Sequence, residues 1–519
     1  MSIADAMSPG CYVARVGARL SEKEQRFDRF RARVGVVAAP LCAAIVWMLP
    51  FANLSVEAHR LLAIGCATVI LWITEAIPLA MAALLAPALA VLAGVAPAKQ
   101  AFAGFAHPLI FLFLGGFMLA EALSHQGFDR RAALWLLARD IIRGSPTRAL
   151  IGVALVAFVF SMWINNTATT AMLLPIAIGL CASIRRLCPD DPAVLERQRR
   201  FEEGMLICLA YASSIGGVCT PIGTAPNMIA IGQLERVGVH IDFLAWMRVG
   251  LPLGLAALIA MLVIARIWWP PALERLAGLS DSVRADLAAL GPVRAGERRA
   301  VLVFALAILG WLTPSIVRLV AGEQAPATQW ADRALPEGVV ALVAAALLFV
   351  VPSGEPAPAD ARRPPLLDWA RMTNIDWGTL FLLGGGLALG DLTVETGLAD
   401  ALGALVEGRF GGEASGFVLI AVMTTITLYA TELISNTAMT NIMVPVVIPM
   451  ATRLGLDPVP VVICVTLAAS FAFMLPVSTP PNALAYGTGL VRMPTMIRFG
   501  AWMDLAGLAL LLVLGLLLS

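Results

Sequence analysis

The sequence predicts an all-α polytopic membrane protein with about eleven transmembrane helices, two re-entrant hairpins and an inverted repeat. Of its 519 residues, 59% are hydrophobic and 14% are charged, whereas soluble domains carry about 25% charged residues. Apolar runs of bilayer-spanning length recur along the chain. Two segments, SMWINNTATTAMLLP at 161–175 and TELISNTAMTNIMVP at 431–445, align without a gap at an offset of 270 positions. The chain therefore contains one polar motif twice in apolar surroundings.

Residues 1–33 are predicted to form a basic cytoplasmic segment, and they lack the apolar run and small-residue site of a cleaved signal peptide. Basic residues cluster in every second loop, for example within 130–148, 185–200 and 275–299. Because cytoplasmic loops are enriched in Lys and Arg, this pattern predicts a cytoplasmic amino terminus and a carboxyl terminus on the opposite side.

Eleven apolar runs have the length of a membrane span. The first of them is an extra helix outside the repeats, and residues 271–298 are predicted to be a cytoplasmic loop between the repeats. The predicted spans are 34–53, 58–77, 79–96, 108–127, 200–234, 243–268, 299–318, 335–352, 376–396, 458–490 and 500–518.

Two further apolar stretches, about 147–182 and 414–451, carry the polar motifs in their middles. Irregular backbone at membrane depth is tolerated only where it faces protein or water. Each stretch is therefore interpreted as a re-entrant hairpin that enters and leaves on one side.

The duplication extends beyond the hairpins. TPIGTAPN at about 220–227 corresponds to LPVSTPPN at about 475–482 at an offset of 255, and both are predicted to be unwound stretches within helices. The first repeat is placed at 54–270 and the second at 299–519, each with five spans and one hairpin. Since five is odd, the second copy is inverted relative to the first, as in many secondary transporters.

The two motifs supply oxygen atoms and hydroxyl donors. A helix that stops inside a membrane leaves free N–H groups at one end and free carbonyls at the other, which suit an anion and a cation respectively. Oxygen ligands for a small hard cation are expected from Ser161, Asn165, Asn166, Thr431, Ser435 and Asn436, and hydroxyl donors to a carboxylate from Thr167, Thr224, Thr437 and Thr479. A single motif could be a polar helix-packing cluster, but its repetition favours a binding site.

These paired Ser-Asn-Thr-like motifs, together with WITEAIP at 72–78, resemble the divalent anion/sodium symporter family from about residue 34 to 519. The resemblance implies a homodimer whose protomers have a scaffold domain and a transport domain that moves as an elevator. It implies at least two Na⁺ ions, one held by Ser161, Asn165, Asn166 and Gly223, the other by Thr431, Ile434, Asn436 and Ser478. It implies that the substrate contacts Asn166, Thr167, Thr224, Ser435, Asn436, Thr437 and Thr479.

One residue departs from the family pattern, because Asn165 stands where the family usually has serine. The larger amide is expected to alter the first cation site or the anion pocket. Among acidic residues in apolar runs, Glu432 adjoins the second motif and is interpreted as a bonded residue that orients the hairpin. Asp391 lacks the first glycine of the GxGD arrangement of membrane aspartic proteases.

The sequence thus predicts a secondary active transporter, not an enzyme, in a bacterial inner membrane. It would import divalent organic anions, above all C4-dicarboxylates such as succinate, malate or fumarate, with Na⁺, and it would need no organic cofactor and bind no nucleic acid. Alternatives on the same fold are a dicarboxylate exchanger and a citrate or sulfate carrier. A non-transporting sensor is disfavoured because no signalling domain is visible.

Overall fold

The computed structural model describes residues 22–51, 54–138, 144–274, 279–355, 363–401, 404 and 416–519. These residues form α-helices and no β-strand, which confirms the predicted fold class. The helices of the first half are α1 Glu22–Met48, α2 Val56–Thr74, α3 Leu79–Leu92, α4 Ala98–Ala101, α5 Pro108–Gln126, α6 Phe128–Ala138, α7 Pro146–Ser161, α8 Asn166–Leu187, α9 Pro192–Gly217, α10 Ala225–Arg236 and α11 Phe243–Trp268.

The second half contains α12 Leu279–Ala289, α13 Ala295–Ala321, α14 Pro326–Ala334, α15 Glu337–Val350, α16 Trp369–Met372, α17 Trp377–Glu395, α18 Gly416–Ala430, α19 Asn436–Arg453, α20 Pro458–Ser470, α21 Pro480–Gly487 and α22 Met493–Leu518. Capping carboxylates start several of these helices. Asp242 accepts from the Ala245 amide at 2.7 Å at the start of α11, and Asp376 accepts from the Thr379 amide at 3.0 Å at the start of α17. Such caps satisfy amides that have no partner within the helix.

Among the described residues, eight helices are long and apolar enough to cross a membrane, or nine if the bent pair α14 and α15 is one span. Fewer of the described helices are long enough to cross a membrane than the eleven spans predicted. The predicted spans 79–96 and 335–352 shorten to the 14-residue helices α3 and α15. The predicted spans 200–234 and 458–490 are each split into two helices by an irregular stretch.

Two regions predicted to lie outside the membrane spans contain helices. The loop predicted at 271–298 carries α12, although residues 275–278 lie outside the described part. Residues 22–33 of the predicted cytoplasmic segment are the first turns of α1, and residues 1–21 lie outside the described part. A search for membrane spans does not detect such helical segments, because charged residues interrupt their apolar residues.

The predicted hairpin regions are pairs of helices joined by short breaks. Helices α7 and α8 are separated by residues 162–165, and α18 and α19 by residues 431–435; positions 414–415 of the second predicted hairpin lie outside the described residues. Elements of the two repeats pack against each other across the core, since α8 contacts α21 and α19 contacts α10. This packing brings both breaks to the middle of the molecule.

Candidate functional site

The short connections within the two helix pairs, residues 162–165 and 431–435, are called the first and second hairpin tip. The same side-chain contact is found at both tips. Where α7 ends, the Ser161 hydroxyl donates to Asn166 Oδ1 at 2.6 Å. Where α18 ends, the Thr431 hydroxyl donates to Asn436 Oδ1 at 3.0 Å. In both copies a buried hydroxyl at the last residues of one helix thus fixes the asparagine that begins the next.

The tips differ in how the second helix is capped. Asn165 Oδ1 accepts from the Ala168 amide at 2.7 Å and caps α8. Ser435 holds the matching position before α19, and its side chain makes no capping hydrogen bond. The amide of Asn165 is therefore engaged in a local bond that the second copy lacks.

Each tip is hydrogen-bonded to the irregular stretch of a neighbouring broken helix. These stretches, residues 218–224 between α9 and α10 and residues 471–479 between α20 and α21, are called the first and second break. The Thr220 hydroxyl, in the stretch between α9 and α10, donates to the Met162 carbonyl of the first tip. The Thr431 hydroxyl of the second tip shares its one hydrogen between Asn436 Oδ1 and the Ala469 carbonyl, which lies 2.8 Å away near the end of α20. The irregular backbone of a hairpin and of a broken helix thus form one unit in each repeat.

An asparagine that sequence reasoning did not assign holds the first break in shape. The side-chain amide of Asn227 donates to the carbonyls of Gly217 at 3.0 Å and Thr220 at 2.7 Å. Gly217 is the last residue of α9 and Thr220 follows it, so no helical amide satisfies either carbonyl. The side chain is fully buried.

The second break contains the same arrangement. The side-chain amide of Asn482 donates to the carbonyls of Ala472 at 3.0 Å and Leu475 at 3.1 Å, and it lies 3.2 Å from the Ser478 hydroxyl. Asn482 is also fully buried. The signal was present in the sequence, since TPIGTAPN and LPVSTPPN both end in asparagine.

Gly217 allows the first tip to reach the broken helix. A Cβ atom at this position would lie 2.2 Å from Asn166 Oδ1, which is far inside van der Waals contact. Any larger residue at 217 would therefore push the tip asparagine away from the break.

A cavity of about 660 Å³ lies between the two tips and the two breaks. It brings together most of the predicted site residues, namely Asn165, Asn166, Thr167, Gly223, Thr224, Ser435, Asn436, Thr437, Ser478 and Thr479. Ser161 and Thr431 do not line the cavity but lie behind it, each bonded to a lining asparagine. Ile434 does not line it either, and its side chain packs against the hydrophobic core.

In the described part of the cavity wall, positive potential comes from the backbone. Its described lining includes the carboxyl side chains of Glu75 and Asp376 and no Lys, Arg or His. Four helices begin at or beside residues of its wall, α8, α10, α19 and α21. The starts of α8, α10 and α19 carry partial positive charge from free amides, whereas α21 begins with Pro480 and Pro481, which have no amide hydrogen.

The acidic residues of the apolar runs have specific partners. The Glu432 carboxylate accepts from the backbone amides of Met474 at 2.9 Å and Leu475 at 3.0 Å, so it ties the second tip to the second break. Asp391 pairs with Arg236 at 2.7 Å, a contact between α17 and α10. Among the described residues no group of three or more His, Cys, Asp and Glu could hold a metal ion.

Comparison with known proteins places these features in a family context. A family model described as the sodium:sulfate symporter transmembrane region matches residues 31–518. The chain is 31% identical over 500 residues to the sodium-dependent dicarboxylate transporter SdcS of Staphylococcus saprophyticus, covering 95% of this chain and 92% of the relative. It is 31% identical over 437 residues to SdcS of Staphylococcus aureus strain USA300, covering 84% and 81%.

A solved structure shares the fold. The YdaH transporter of Alcanivorax borkumensis, described as having an unusual topology, superposes with a TM-score of 0.51 at 14% identity. The match covers 81% of this chain and 87% of that one. At this identity the likeness concerns architecture and says nothing about the substrate.

Proposed function

This chain belongs to the sodium:sulfate symporter family, the divalent anion/sodium symporters, and we propose that it imports divalent organic anions coupled to Na⁺. It is a transporter and an integral membrane protein, not an enzyme, as its sequence predicts. The observation that carries the proposal is that both hairpin tips and both broken helices line one cavity.

The anion is held by helix starts and hydroxyl groups. Free amides at the starts of α8, α10 and α19 and the hydroxyls of Thr167, Thr224, Thr437 and Thr479 supply donors around the cavity. The remaining proposed contacts are Asn166, Ser435 and Asn436. A volume of about 660 Å³ accepts a small dicarboxylate with some water, since ligand pockets commonly span about 300 to 1,000 Å³.

The cations bind behind the anion, at the carbonyl-rich helix ends. The first site would use Ser161, Asn165, Asn166 and Gly223, and the second Thr431, Ile434, Asn436 and Ser478. Ser161 and Thr431 now donate to the asparagine Oδ1 atoms. A bound Na⁺ would turn these hydroxyl hydrogens away, so that hydroxyl and amide oxygens face the ion together. Hard cations prefer such oxygen ligands.

The negative charge of the substrate gives a physical reason for its transport to be coupled to Na⁺. The described lining of the cavity has no basic side chain. The negative charge of a bound dianion would therefore have no positive side chain to balance it, and burying such charge is costly. Two Na⁺ ions held next to the anion would neutralise it. Substrate affinity should therefore depend steeply on Na⁺ concentration, and the loaded site could move as a neutral unit.

The movement we propose is an elevator. The hairpins and broken helices are linked by hydrogen bonds through Thr220, Thr431 and Glu432, which favours their moving as one transport domain against a scaffold. We further propose a homodimer in a bacterial inner membrane, with the amino terminus cytoplasmic and the carboxyl terminus on the opposite side.

C4-dicarboxylates such as succinate, malate and fumarate are the proposed substrates, because the relatives are named dicarboxylate transporters. Citrate or sulfate transport, and exchange of one dicarboxylate for another, are the alternatives on this fold. Sulfate is disfavoured because it would leave most of the cavity volume unfilled.

Uptake into proteoliposomes tests the proposal. Empty vesicles containing the purified protein should accumulate radiolabelled succinate when an inward Na⁺ gradient is applied, and not with K⁺ or a pH gradient in its place. Citrate, sulfate and aspartate complete the panel. Accumulation only into vesicles preloaded with dicarboxylate would show exchange, and sulfate uptake without succinate uptake would contradict the substrate class.

A further inference from the structure

A second cavity, separate from the transport site, lies where α11 ends and α22 begins. It has a volume of about 430 Å³ and shares no described lining residue with the central cavity. We call it the arginine cavity, defined by the guanidinium groups of Arg200, Arg492 and Arg498, the carboxylate of Glu203, and the indoles of Trp268 and Trp269.

The charges of the arginine cavity are unbalanced. Glu203, buried beneath Arg492, accepts from the Arg492 backbone amide at 2.7 Å and from its guanidinium at 2.9 Å. Arg200 is exposed and pairs with the exposed Glu196 at 3.2 Å. Arg498 is exposed and makes no hydrogen bond or ion pair with the described part of the chain. The cavity thus presents an excess of positive charge to whatever enters it.

The position of the arginine cavity corresponds to the membrane surface. Both α11 and α22 are candidate membrane spans, and the cavity lies where their ends meet. Trp269 packs on Phe499 with ring centroids 4.4 Å apart, and Trp268 contacts the same ring at 5.9 Å. Tryptophans concentrate at the level of lipid headgroups.

Both helices expose apolar side chains on the stretch that leads from this cavity toward the middle of the membrane. On α11 the exposed side chains Ile267, Val263 and Ile259 follow one another at four-residue spacing. On α22 the exposed Trp502 and Leu505 lie on the same face as Arg498. A ligand with a charged head and apolar chains would match both parts.

We propose that the arginine cavity binds the phosphate of an anionic phospholipid, with the acyl chains lying along α11 and α22. Basic pockets between membrane helices bind lipid phosphates in this way. A free phosphate ion would use the arginines but not the apolar faces, so the lipid fits the whole surface.

Native mass spectrometry of the detergent-purified protein tests the proposal. The protein is mixed with equal amounts of phosphatidylglycerol and phosphatidylcholine. The wild type should retain phosphatidylglycerol selectively, and the double variant Arg200→Gln/Arg498→Gln should retain about tenfold less. Arg492 is left intact because its loss would leave the buried Glu203 unpaired.

The matched control is Arg298→Gln/Arg333→Gln, which removes two exposed arginines outside the cavity and should retain lipid like the wild type. Arg200→Lys/Arg498→Lys keeps the charges and should preserve selectivity. Equal phosphatidylglycerol retention by wild type and the glutamine variant would overturn the proposal. So would displacement of the lipid by inorganic phosphate, since the site would then be one for the free ion.

Discussion

Asn482 repeats, 255 positions further along the chain, the two hydrogen bonds that Asn227 makes to the backbone of a broken helix. Neither residue lines the central cavity. Each instead fixes carbonyl oxygens beside a proposed cation site, so both are positioning residues. This double clamp explains how an irregular backbone keeps one shape inside a membrane, where free carbonyls would otherwise be costly.

Replacing Asn227 or Asn482 by alanine should weaken Na⁺ binding. Each variant loses two buried hydrogen bonds, and at about 1 kcal/mol for each bond the freed carbonyls should cost about tenfold or more in Na⁺ affinity. Thermal-shift titration with Na⁺ in the absence of substrate measures this effect directly.

Gln233→Ala is the matched control, because Gln233 is a buried amide side chain on α10 that donates to the Gly386 carbonyl at 3.1 Å, away from both breaks and from the cavity lining. It should lower the melting temperature without changing Na⁺ affinity. An equal loss of Na⁺ affinity in all three variants would show that the clamps have only a general structural role.

Asn166→Ala and Asn436→Ala should abolish Na⁺-driven succinate uptake while the protein stays folded. Each substitution removes an amide that lines the cavity and receives the hydroxyl of Ser161 or Thr431. Uptake assays with size-exclusion chromatography of the same samples separate function from folding. Wild-type uptake by either variant would contradict the site.

The position of the site could be predicted because polar residues interrupt long apolar runs in both repeats. Residues 162–165 and 431–435 are irregular within the predicted hairpin regions, and α11 matches its predicted bounds, 243–268. In each case a sharp change between apolar and polar residues marks the boundary.

Contacts between side chains that are distant in sequence could not be predicted, because composition does not show which residues pair. Asp391 was visible in an apolar run, yet its pairing with Arg236 joins residues 155 positions apart. Helices α6 and α12 have only 11 residues each and carry charges, so they do not form apolar runs of bilayer-spanning length. Asn227 and Asn482 end the two repeated motifs, but the motifs do not show which carbonyls these amides bind, since that depends on where the backbone turns.

Asn165→Ser, which introduces the usual residue of the family, should change Na⁺ affinity or substrate preference. Serine can still cap α8, so helix stability should stay within about 1 kcal/mol of the wild type. The amide that now bonds to Ala168 beside the cavity would be gone. Competition of succinate uptake by citrate and sulfate over a range of Na⁺ concentrations measures the change; identical profiles would show that residue 165 does not tune the site.

Asp391→Asn should destabilise the protein without altering the transport site. The substitution leaves the guanidinium of Arg236, largely buried between α10 and α17, without its ionic partner, and a buried donor left unsatisfied costs about 1 to 3 kcal/mol. The melting temperature in detergent should fall. Asp190→Asn at an exposed position is the control and should leave the melting temperature unchanged.

Asp129, at the start of α6, should make stability depend on pH. Burial raises the pKa of its carboxyl from 3.8 to about 6, despite hydrogen bonds from Ser124 and the Arg130 amide. The folded protein therefore binds this proton more tightly than the unfolded chain, and stability falls as the pH rises from about 4 to about 6. Asp129→Asn should remove that fall and be more stable at pH 8, by up to about 3 kcal/mol. Melting curves from pH 4 to pH 8 that slope equally in both proteins would contradict this assignment.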